Sequence, residues 1–99
     1  MTARPESARP ESARPGAAVR AATDAAQRAA GVIAARRRGD DEGAEALLES
    51  FPDDAAKAGG FFVLADLAIA LLASASNQST DDVVQDLTVL LASSAMLPD

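Results

Sequence analysis

Large apolar residues gather in two stretches of the chain, Phe61–Leu72 and Val83–Leu91, while the first half is built on alanine. From Ala17 to Arg38 apolar positions recur at spacings of three and four. Val19, Ala22, Ala26, Ala29, Ala30 and Ile33 fall on one stripe, which predicts a helix packed through that stripe. A second face carries Arg20, Asp24 and Arg28 at i, i+4 spacing, where alternating charge adds a few tenths of a kcal/mol per pair. The helix closes on Arg36-Arg37-Arg38-Gly39, with cations against its negative end and a glycine suited to a left-handed C′ position. Asp40 or Asp41 then caps a short second helix to about Glu49, with Ala44, Leu47 and Leu48 inward.

Ser50-Phe51-Pro52-Asp53 marks the next boundary, with the Ser-x-x-Asp layout of a near capping box. A third helix is expected from Pro52 or Asp53 to about Ser76, loosened at Gly59-Gly60. Between Phe61 and Ala75 its single charge is Asp66. Phe61, Phe62, Leu64, Leu67, Ile69, Leu71 and Leu72 cover nearly its whole circumference, as in a helix central to a bundle or shared with another subunit. Ser79 and Asp82 form another Ser-x-x-Asp start. The fourth helix, about Thr80–Ser94, places Val83, Val84, Leu87, Leu90 and Leu91 on an inward stripe. The expected fold is all-α, a small three- or four-helix bundle forming a single helical domain over residues 17–97.

Residues 1–16 read differently. Ala-Arg-Pro-Glu-Ser occurs at Ala3–Ser7 and Ala8–Ser12, and a third copy begins at Ala13. Proline every fifth residue excludes a stable helix, and nothing large and apolar is available to bury. The segment is expected to be a disordered N-terminal tail.

Charge adds an asymmetry. Residues 1–38 hold eight arginines against three acids, and residues 39–99 hold Lys57 against twelve acids, for a net charge of −6. Such a chain can pair its own halves, associate head to tail, or offer two different faces to partners. The N-terminus lacks the apolar stretch of a secretory signal, so a cytoplasmic location is expected. The fifteen residues Phe61–Ala75 span about 22 Å as a helix, short of a ~30 Å hydrocarbon layer, and Asp66 sits mid-run. That argues for burial in protein over insertion in a membrane.

The composition withholds most chemistry. Histidine and cysteine are absent, which removes the usual general base, the commonest metal ligand and any thiolate. Gly59-Gly60 lacks the spacing and the Lys-Ser/Thr of a phosphate loop, and Asp40-Asp41-Glu42-Gly43 lacks the alternate ligands of a calcium loop. Neither a cofactor nor a metal is expected. The expectation is a non-catalytic protein–protein interaction module, an adaptor or assembly component whose partner is another protein or itself as a homodimer. Its interface would be Phe61, Phe62, Leu64, Asp66, Leu67 and Leu71, with Arg36, Arg37 and Arg38 as a charged patch. One rival is a carboxylate-metal hydrolase using Glu42, Glu45 and Asp82. Another is a nucleic-acid binder using the arginines of the tail and first helix, which lack interleaved aromatics for base stacking.

Overall fold

A computed structural model of the chain describes residues 16–95. Four helices follow one another among these residues: α1 (Ala17–Arg37), α2 (Asp41–Glu49), α3 (Asp54–Ser76) and α4 (Thr80–Ala95), with no strand. The protein is all-α. The repeat tail expected at residues 1–16 lies outside the described residues except for Gly16, as does the stretch beyond Ala95. The chain divides into two compact units inside α3, one ending at Leu64 and the other starting at Ala65.

In the first unit Ala29, Val32 and Ala35 of α1, Ala44 of α2 and Phe51 of the following link form the buried core. Leu47, Leu48, Ala56, Phe61 and Leu64 pack against it. Three of its five members are alanines with no exposed surface, so α1 and α2 approach closely but bury little area. The Phe51 ring compensates, lying 6.2 Å from that of Phe61 in a tilted pair. This core uses a different face of α1 from the expected stripe. Ala29 is shared, but Val19 and Ile33 point outward at 69% and 48% exposure. Alanine on every side leaves the helix with little amphipathic bias, so close approach selects the face.

The helix ends obey local chemistry. Past α1 the Asp40 N–H donates to Ala35 O and the Gly39 N–H to Arg36 O, a Schellman closure with Gly39 at φ 79°. The same pair of bonds, Gln78 N–H to Ala73 O and Asn77 N–H to Ser74 O, closes α3, with Asn77 at φ 58°. Asp40 Oδ1 accepts from the Gly43 N–H at 2.9 Å, and Ser79 Oγ accepts from the Asp82 N–H at 3.1 Å. The start of α3 departs from expectation. Asp53 Oδ1 accepts from the Ala56 N–H at 2.7 Å, which makes Asp53 the cap, while Ser50 Oγ donates back to Leu47 O at the end of α2. Nor is α3 loosened at Gly59-Gly60. It is one continuous helix, and the missing Cβ of Gly60 admits the Ala25 carbonyl of α1.

The second unit is a helical hairpin of Ala65–Ser76 and α4. Three residues join its helices, and Gln78 Nε2 donates to Asp86 Oδ2 at 3.4 Å. Ala73 and Val83 are buried in it, and Ile69 and Leu87 are half-buried. The expected inward stripe of α4 is therefore covered only in part. Val84, Leu90 and Leu91 remain exposed.

Candidate functional site

The expected interface residues fall into two groups. Phe61 and Leu64 turn inward, half-buried against the core of the first unit. Phe62 turns outward and helps line an apolar groove of about 260 Å³ with Ala22, Ala25, Gly59 and Val63. Asp66, Leu67 and Leu71 belong to the second unit and are all exposed. Asp66 has no ion-pair partner among the described residues, although a carboxylate within an apolar run invites one.

The charged patch sits where a helix end favours cations. Arg36, Arg37 and Arg38 are exposed in the last turn and cap of α1, and Arg38 Nη2 stands 3.7 Å from Asp40 Oδ2. An open pair of that kind stabilises little. Arg28 has a larger role that its place in the i, i+4 pattern did not signal. Its Nη1 donates to Ser50 O at 2.6 Å, and its guanidinium lies 5.8 Å from the centre of the Phe51 ring. It thereby satisfies a carbonyl beyond the end of α2 and covers the core's aromatic residue. Arg28 and Phe51 also line a groove of about 350 Å³ with Asp24, Pro52 and Ala56.

The carboxylates of the hydrolase alternative belong to different units. Glu42 and Glu45 are exposed on α2, and Asp82 is exposed in the first turn of α4, where acids oppose the positive helix end. No group of three potential metal ligands comes together among the described residues.

The apolar surface is the feature with most to explain. In the hairpin unit Leu67, Leu71, Leu72, Val84, Val89, Leu90 and Leu91 are all exposed, up to 70% for Leu91. The sequence pattern located these residues but placed several of them inside. The length argument about α3 also changes. The helix has 23 residues, about 34 Å at 1.5 Å per residue, and contains an 18-residue window of mean hydropathy 2.0 that is only 11% buried. By length and composition alone it meets the requirement for a membrane span, with Asp66 as the charge opposing insertion. No protein-family model, curated protein or solved structure matches the chain.

Proposed function

We propose that this protein is a non-catalytic interaction module that works by protein–protein contact, beginning with contact between copies of itself. One observation supports this reading above the others: the hairpin unit leaves seven leucines and valines exposed while burying only Ala73 and Val83. Fully burying one such side chain stabilises by roughly 1.5–3 kcal/mol, so half-exposed side chains in this number give a protein partner ample driving force. Large apolar side chains left open in this number are a mark of interaction surfaces. The residue inventory points the same way, since the chain has neither histidine nor cysteine and no cluster of three carboxylates forms among the described residues.

Sedimentation velocity of the full chain at micromolar concentration tests this directly. Association above the 10.1 kDa monomer is expected, and a monomer at every concentration would remove the self-associating part of the proposal. The hydropathy and exposure of α3 favour a second reading, contact with a lipid bilayer. Flotation with neutral phosphatidylcholine vesicles separates the two. The protein is expected to stay at the bottom of the gradient, and comigration with the vesicles would favour the membrane.

A further inference from the structure

We propose that copies of this chain join head to tail, with the outer face of α1 in one copy seated on the Asp66–Leu90–Leu91 region of the next copy's hairpin. This rests on the self-association proposed above and gives it an arrangement. In the hairpin, Ala73 and Val83 are buried and Ile69 and Leu87 half-buried; antiparallel pairing across a three-residue link sets Ala73 level with Val83 and Ile69 with Leu87. The helical repeat places Asp66 at the next level of α3 and Leu90 and Leu91 at the next level of α4. There the cover stops. Asp66 is exposed, and Leu90 and Leu91 are 62% and 70% exposed.

The chemistry of that level explains the opening. A carboxylate is not enclosed among leucines without a cation, and residues 65–95 contain four aspartates and no lysine or arginine. What covers the level must therefore bring both an apolar side chain and a positive charge. The outer face of α1 has both. Ile33, beside the core stripe, is 48% exposed, and Arg36 and Arg37 follow three and four residues later, also exposed. Exposed Ala30 and half-buried Ala26 continue that face and let a second helix approach closely. α1 as a whole carries four arginines against Asp24. A two-fold contact of hairpin on hairpin would instead bring together eight carboxylates and no cation, whereas α1 on hairpin pairs opposite charges. Such a contact is heterologous. Each added copy keeps one free face of each kind, so the assembly extends or closes into a ring.

Two variants at exposed positions test the arrangement, Ile33→Asp on the α1 face and Leu90→Asp on the hairpin face. Both should keep the helical circular dichroism of the parent chain. Each alone is expected to sediment as the 10.1 kDa monomer, and an equimolar mixture as a heterodimer of about twice that mass, because the mixture restores one intact junction. Raised salt should weaken association of the parent chain. The arrangement is overturned if Ile33→Asp still associates like the parent, which is the result for hairpin-on-hairpin pairing, or if the mixture stays monomeric. A parent chain that never associates overturns self-association itself, so the two failures are distinguishable. A charge exchange gives a second check. Asp66→Arg should dissociate the assembly, and mixing it with the Arg36→Glu/Arg37→Glu double variant should restore it.

Discussion

Gly60 and Ala25 meet backbone to backbone across α3 and α1: a Cβ built on Gly60 would stand 2.5 Å from the Ala25 carbonyl oxygen. The neighbouring Gly59 has open space at the same position. One glycine admits another helix, and the other is only a poor helix former.

The two should respond oppositely to alanine. Gly59→Ala is expected to stabilise by about 0.5–1 kcal/mol through reduced backbone entropy in the unfolded chain. Gly60→Ala gains the same propensity but forces α1 and α3 apart, for a net loss of about 1–3 kcal/mol. Urea midpoints measured side by side decide it. Equal shifts would mean that α1 does not approach at Gly60.

Arg28 acts as a clamp on the α2–α3 link. Arg28→Ala should cost about 1–2 kcal/mol, combining a charge-assisted bond to Ser50 O with the guanidinium over Phe51, both weakened by partial exposure. Arg28→Lys keeps the charge without the planar fork and should lose roughly half as much. The readout is the denaturant midpoint at constant slope. A lysine variant matching the parent would show that only charge matters.

The caps separate Ser50 from Asp53. Asp53→Ala removes the acceptor for the Ala56 N–H and should cost about 1 kcal/mol, whereas Ser50→Ala should stay within about 0.5 kcal/mol. If Ser50 were the true cap, the order of the two thermal midpoints would reverse.

At the helix closures, Gly39→Ala and Asn77→Ala each place a Cβ at positive φ and should each cost about 1–2 kcal/mol. Asn77→Gly should be nearly neutral, since relief of the strained backbone is offset by the freedom glycine gives the unfolded chain. Thermal denaturation of the three variants checks the ranking.

Exposed and buried apolar residues should differ in what they control. Leu91→Gln is expected to change the intrinsic stability of the chain by less than about 0.5 kcal/mol while reducing association, because Leu91 is 70% exposed. Val32→Ala, in the core, should cost about 1–3 kcal/mol and leave association of the folded chain intact. Sedimentation and urea unfolding of both variants give the two readouts. A Leu91→Gln chain that is markedly destabilised would place Leu91 in a core.

What could be read in advance follows from how local each signal is. Gly39 after three arginines, Asp40 before α2 and Ser79 before Asp82 each fix a helix end through bonds spanning a few residues, and all three ends are where the pattern put them. At Ser50–Asp53 two capping residues stand three positions apart, and pattern alone does not rank them. The α1 face failed for a different reason. Ile33 and Val19 are, with the core position Val32, its largest apolar side chains, yet the core is chosen by how closely Ala29 and Ala35 let Ala44 approach. The clamp of Arg28 joins residues 22 positions apart, and no spacing rule connects them. The candidate surface was half visible. An apolar α3 was evident, but the division between inward Phe61 and Leu64 and outward Phe62, Leu67 and Leu71 depends on which neighbours reach each side.

One continuous helix joins a unit with a five-residue core to a hairpin that buries little beyond Ala73 and Val83. An unbroken hydrogen-bond ladder does not make a uniformly protected rod. Backbone amides along Asp54–Leu64 should exchange with deuterium slowly, released only when the first unit opens. Those from Ala65 to Ser76 should exchange sooner, through local openings that leave the rest folded. Exchange rates would then change partway along α3, where the secondary structure itself shows no break.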